Sequence, residues 1–174
     1  MDTKINFEGK GADSLHESVD ALEAAKSLAQ ASGAVVAVSG AMDIVTDGNQ
    51  VIGAHNGVPM MQKITSGCSV TALIAAFVAV EPTHALEAAV SALSIFGVAG
   101  ELGMESAKGP ASLRVNLIDS LCGLDEGTVL KFFHYFEAEE FYSRYYSQTP
   151  KLLVNLHYVI IVHGSNPFIC GLMF

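Results

Sequence analysis

Ile64-Thr-Ser-Gly-Cys-Ser-Val-Thr-Ala-Leu-Ile-Ala-Ala-Phe-Val-Ala-Val80 opens with small, flexible residues and continues as an alanine-rich apolar run. It reads as a loop leading into a buried helix of about three turns. The start of a helix leaves unpaired backbone N–H groups, and the positive end of the macrodipole, directed at whatever precedes it. With Gly67 at that mouth, a phosphate or another anion can approach the backbone closely. The same residues also fit a plain helix start, with Thr65 or Ser66 as N-cap and Cys68 as a small core residue.

Upstream, Asp13 to Ser32 carries the marks of a helix. Ser14 and Glu17 fit a capping box, and Leu15, Val19, Leu22, Ala25, Leu28 and Ala29 fall on one stripe. Gly33 stands where a helix commonly ends in the left-handed conformation. Ala34-Val-Val-Ala-Val38 follows, a continuous apolar run that predicts a strand buried on both faces, a kind usual in parallel sheets covered by helices. Ser39-Gly40 comes at the carboxyl end of that strand, where open α/β sheets bind ligands, although a simple turn fits it as well. Ile44 to Asp47 and Val51 to His55 predict a hairpin turning at Asp47-Gly48. Gly57 to Met61 reads as a connector and Gln62 to Thr65 as a short strand.

Downstream, Pro82 and Thr83 break the chain before a second alanine-rich helix, Ala85 to Met104. Hardly any charge lies between Ala88 and Gly100, so this helix is expected to be buried nearly all round. Gly97, Ala99, Gly100 and Gly103 permit a close approach, within the fold or against another subunit. Lys108-Gly109-Pro110 ends this helix, and Ser112 to Leu121 predicts a shorter amphipathic one.

The 174 residues, 51% hydrophobic and 16% charged, suit one domain with a sizeable core. A formal charge of −9 argues against nucleic acid or an anionic membrane as partner, since both call for a basic footprint. The three cysteines, Cys68, Cys122 and Cys170, give neither a disulfide framework nor a metal-binding spacing. The N-terminal residues have no apolar signal core, so a cytoplasmic setting is expected.

Near Gly127 the composition changes. Eleven of the fourteen Phe and Tyr residues lie beyond it, but only two of the sixteen glycines do. Residues 1–127 carry 15 acidic and 6 basic side chains, whereas 128–174 carry 3 of each. The chain therefore divides into 1–127 and an aromatic-rich tail, 128–174. Within that tail Leu152 to Val162 is apolar but holds Asn155 and His157, and it is shorter than the ~17–25 residues of a membrane-spanning helix. It reads as a strand or a sticky segment rather than a membrane anchor, and exposed it would be an aggregation hazard.

Ala34-Val-Val-Ala-Val-Ser-Gly-Ala-Met-Asp-Ile-Val-Thr-Asp-Gly48, Asn56-Gly-Val-Pro-Met60, Thr65-Ser-Gly-Cys-Ser-Val-Thr-Ala-Leu73 and Phe96-Gly-Val-Ala-Gly-Glu101 together resemble hydroxyethylthiazole kinase, most of all its plant form. The likeness runs from about Gly11 to Glu126, the C-terminal half of a family member, while the tail resembles nothing in the family. It implies an α/β fold, a partial ribokinase-like three-layer α/β/α sandwich truncated at the N-terminal side. It also implies a homotrimer with active sites between subunits.

The implied reaction is transfer of the ATP γ-phosphate, with Mg2+, to the alcohol of 4-methyl-5-(2-hydroxyethyl)thiazole in thiamine biosynthesis. Carried over residue by residue, Ser39 matches the ATP contact, Gly67 the anion hole and Cys68 the position of the catalytic base. A thiol is a weak base, which phosphoryl transfer tolerates because positioning and charge neutralisation supply most of the catalysis. The loop before Gly67 is one residue shorter than the family's, so the substrate-binding position falls on Thr65 or Ser66. The family's acidic groups near magnesium belong to the half without a counterpart here, and no metal ligand is assigned. A second reading is a catalytically inactive fragment, able at most to associate with a full-length relative. Half a sheet would also leave a bare edge and poor solubility.

Overall fold

The structure, a computed structural model, describes residues 21–40, 42–64, 66–132, 135–137, 158–162 and 170–173. The predicted helix start at Ser14 and Glu17 lies outside the described residues, as does Thr65.

Helix α1 (Leu22–Ser32) ends on Gly33, whose φ of 66° lets its N–H donate to the Ala29 carbonyl at 2.8 Å. A residue with a Cβ would strain in that left-handed turn. Strands β1 (Val35–Ser39), β2 (Asp43–Thr46) and β3 (Val51–Ala54) follow as a meander. The β2–β3 hairpin turns where Asp47-Gly48 predicts it. Asp47 Oδ1 accepts the N–H groups of Asn49 at 2.8 Å and Gln50 at 2.7 Å, and Gly48 takes a φ of 95°. The buried Thr46 hydroxyl donates to the Gln50 carbonyl at 2.6 Å and accepts the Gly48 N–H at 3.0 Å, so the turn is stapled from inside.

Burial of β1 on both faces is as its apolar run predicts. Val36 and Val38 pack on Ala25 and Ala29 of α1, while Val35 and Ala37 join Val45 in the main core on the opposite face. That core is filled from α2 (Ser66–Val80), α3 (Ala85–Glu105) and α4 (Pro110–Gly123). The layers are therefore helix, sheet, helix. Ser112 Oγ accepts the Lys108 and Gly109 N–H groups at 2.8 and 3.1 Å, which caps α4 as Pro110 starts it.

Two expectations are corrected. Every neighbouring pair in the six-stranded sheet, ordered β4 (Tyr135–Glu137), β3, β2, β1, β5 (Tyr158–Val162), β6 (Cys170–Met173), is antiparallel, not parallel. The connection from Ser39 to Asp43 is far too short for the dozen or so residues that a parallel crossover needs. An apolar run reports burial and says nothing of strand direction. Gln62 to Ile64, read as a strand, instead belongs to a 3-10 turn over Pro59–Ile64. Residues three apart line up in such a turn, and it drives Met61 and Ile64 together into the core.

Three short strands come from beyond Gly127: β4 (Tyr135–Glu137), β5 (Tyr158–Val162) and β6 (Cys170–Met173), with α5 (Glu126–Phe132) before them. Strand β4 pairs with β3, and β5 pairs with β1 from Val35↔Val162 to Ser39↔Tyr158. Half a sheet predicts a bare edge, but β1 and β3 are each paired on both sides. Pro82–Glu105 is long and apolar enough to cross a membrane, but 67% of its most apolar window is buried inside the fold, so core packing accounts for its composition.

Candidate active site

A cavity of about 240 Å³ opens where the end of β1 meets the start of α2. Ser39 and Gly40 form one side, and Ser66 and Gly67 of the first turn of α2 form another. Ser66 is helical and Thr71 Oγ1 donates to the Gly67 carbonyl at 2.8 Å, so this turn is held in register while its leading N–H groups stay directed forward. A hydroxyl facing a helix N-terminus suits an anionic ligand.

His55, Asn56, Gly57, Val58 and Pro59 supply a third wall. Its shape depends on α3. Glu101, half-buried, accepts the Gly57 N–H at 2.7 Å and the Asn56 Nδ2 at 3.4 Å through one carboxylate oxygen. Asn56 Nδ2 also donates to the Phe132 carbonyl at 2.8 Å, so the end of α5 is tied to the same wall. Gly57 adopts a φ of 116°, and a Cβ at Gly97 would fall 2.5 Å from the Asn56 Cβ. The wall can lie against α3 only because Gly97 has no side chain. Val70, Leu93, Phe96 and Met61 make the remaining face apolar.

Asp43, half-buried, also lines the cavity, and its Oδ1 accepts the Gly40 N–H at 3.0 Å. Burial pushes its carboxyl up from 3.8 to about 7, partly offset by that N–H, which favours the charged form. The cavity volume falls below the roughly 300–1,000 Å³ of sites that enclose a drug-sized ligand. A whole nucleotide bound together with a heterocycle would extend beyond it.

Ser39, Ser66 and Gly67 are therefore brought together. Cys68, the next residue along α2, is exposed and is not among the residues lining the cavity. The glycines and alanines of α3 serve packing within the fold: Gly97 and Gly100 receive Asn56 and Met61, and Gly103 receives the α4 backbone at Leu117. Among the described residues no group of three or more His, Cys, Asp or Glu could hold a metal ion, so these residues do not by themselves make a magnesium site. Sequence reasoning passed over Asp43 and Glu101. Each left a signal: Asp43 stands three residues after Gly40, a spacing at which side-chain carboxylates bond local N–H groups, and Glu101 is a lone charge following a long apolar stretch.

The model of the hydroxyethylthiazole kinase family matches residues 2–127. The chain is 69% identical to hydroxyethylthiazole kinase of Arabidopsis thaliana over 123 residues, covering 70% of this chain and 45% of the relative. It is 71% identical to that of Zea mays over 121 residues, covering 69% and 43%. The solved hydroxyethylthiazole kinase of Pyrococcus horikoshii OT3 superposes with a TM-score of 0.66 at 36% identity, over 70% of this chain and 47% of that one. The chain thus spans less than half the length of these relatives.

Proposed function

The chain belongs to the hydroxyethylthiazole kinase family, and from that premise we propose that its cavity serves transfer of the ATP γ-phosphate to the hydroxyl of 4-methyl-5-(2-hydroxyethyl)thiazole. Its part of the ribokinase-like α/β/α sandwich includes the strand end and helix start that line the cavity. The observation that carries the proposal is that Ser39 of β1 and Ser66 and Gly67 of α2 border one cavity with a polar side and an apolar side.

In this reading the N–H groups at the start of α2 and the Ser39 hydroxyl hold the terminal phosphates, and Phe96, Leu93 and Val70 receive the heterocycle. The alcohol oxygen bonds to the γ-phosphorus as the bond to the bridging oxygen breaks. ADP leaves, and the alcohol proton passes to a base or to water. Oriented N–H donors do most of such work, because charge builds on the equatorial oxygens during transfer. Cys68, adjoining Gly67, is the proposed proton acceptor, and Thr65 or Ser66 the contact to the substrate alcohol. Magnesium has no ligand set among the described residues, and no step is assigned to it. A trimer that completes each site from its neighbours is part of the proposal.

The test is turnover by the purified chain with ATP, magnesium and the thiazole alcohol, followed by mass spectrometry. ADP and the thiazole monophosphate should appear in equal amounts. A folded chain that makes neither overturns the proposal and leaves the inactive-fragment reading. If activity is present, Cys68→Asp should retain it, because a carboxylate at the same point is already ionised at neutral pH, where a thiol with a reference pKa of ~8.5 is mostly protonated. A dead variant that still binds ATP would remove Cys68 from that role.

A further inference from the structure

An anion-binding cavity has no evident use for a carboxylate, yet Asp43 lines it beside Ser39 and Gly40. The backbone builds that position. Strand β2 starts at Asp43, paired across from Ala54, and Oδ1 accepts the Gly40 N–H at 3.0 Å across the neck of the β1–β2 connection. The residue preceding Gly40 is Ser39, the last of β1. Loosening this bond releases the turn that carries the Ser39 hydroxyl, and a displacement of about 1 Å at such a contact can cost on the order of 100-fold in rate.

We propose that Asp43 is a positioning residue for the phosphates of the nucleotide: by holding the Gly40 N–H it fixes the turn that presents Ser39 to the first turn of α2. This rests on the kinase reading above. A carboxylate so near a polyphosphate would repel it while ionised, and its raised pKa eases that conflict, because an arriving anion draws a proton onto the acid. A proton on Asp43 removes the repulsion and leaves its second oxygen able to accept the N–H. The other ionisable group on the cavity wall is His55, at the end of β3; α2 and α3 present no ionisable side chain to the cavity, and α1 meets β2 through Leu22.

The test is calorimetric titration with ATP at pH 7.5 in two buffers of different ionisation enthalpy, which counts protons taken up. Wild type, Asp43→Asn, Asp43→Ala and His55→Gln are compared, so the nucleotide's own titration cancels. Asp43→Asn keeps an oxygen for the Gly40 N–H and should bind within about threefold of wild type, whereas Asp43→Ala should bind about tenfold more weakly. Wild type and His55→Gln should take up a larger fraction of a proton than Asp43→Asn. Unchanged affinity in Asp43→Ala, or equal proton uptake in wild type and Asp43→Asn, overturns the inference and leaves Asp43 a hairpin staple. If Asp43→Ala does not fold, the proton count of the other chains decides. No ATP binding by folded wild type overturns the kinase reading and this inference with it, whereas binding that ignores Asp43 overturns this inference alone.

Discussion

An acid partly withdrawn from water gives up its proton reluctantly, and half-buried Asp43 shows what this means for stability. Burial raises its pKa from 3.8 to about 7, so between those values the native chain holds a proton that the unfolded chain has released. Stability from this group is fully present below about pH 4 and is lost as the pH rises through about 7, on the order of 3 to 4 kcal/mol in total. Asp43→Asn cannot ionise and should lose that slope. The check is urea unfolding of both chains from pH 5 to 8.5: the stability difference should shift in favour of the variant as the pH rises, and a constant difference would contradict the assignment. The residue was hard to find in the sequence for a physical reason. Its environment comes from β3 and the other cavity walls as much as from its own turn, and an aspartate spaced three residues from a glycine looks the same whether buried or solvated.

At the scale of elements, α3 organises the site through what it lacks. A Cβ at Gly97 would lie 2.5 Å from the Asn56 Cβ and 2.7 Å from its backbone carbonyl, atoms that cannot swing aside. A Cβ at Gly100 would meet the Met61 thioether at 2.2 Å, which a flexible side chain can relieve by rotating. Gly97→Ala should therefore lower stability by about 1 to 3 kcal/mol and move the Asn56–Pro59 wall, while Gly100→Ala should cost less. Thermal melts of the two variants, with Gly109→Ala as a control whose Cβ meets nothing within 4 Å, check the order. The helix itself was legible from its long, almost uncharged apolar stretch, and so were the glycines as sites of close approach. What they approach was not. For Gly100 that depended on a 3-10 turn at Pro59–Ile64, whose three-residue repeat leaves no apolar periodicity distinct from a short strand. Two-sided burial of β1 could likewise be read from Val35 to Val38, but its antiparallel pairing had to come from the brevity of the Ser39–Asp43 connection.

For the whole molecule, what counts beyond Gly127 is how the sheet is closed. The segment beyond it supplies β5 to the edge of β1, in register from Val35 to Ser39, and β4 to the edge of β3. The Phe132 carbonyl meanwhile accepts the amide of Asn56 on the cavity wall. Strand β1 carries Ser39 at its end, so one strand is at once the sheet edge that β5 covers and a support of the site. An uncovered β1 would present a row of unpaired N–H and C=O groups to any other strand, and its apolar composition adds to the hazard. A chain ending at Gly127 should therefore associate more readily than the full chain, which light scattering across a dilution series would register as a larger mass that persists on dilution. Lysines introduced at Val35 and Ala37 could not serve as a control, since both side chains are in the main core. A cleaner comparison is the full chain with Ile160→Pro. Proline removes one N–H from a strand flanked on both sides by partners, β1 and β6, and so disfavours the pairing without shortening the chain. If both altered chains stay as dispersed as the full one, the β1 edge is protected by something other than β5, and the tail has no part in keeping the site's supporting strand apart from its neighbours.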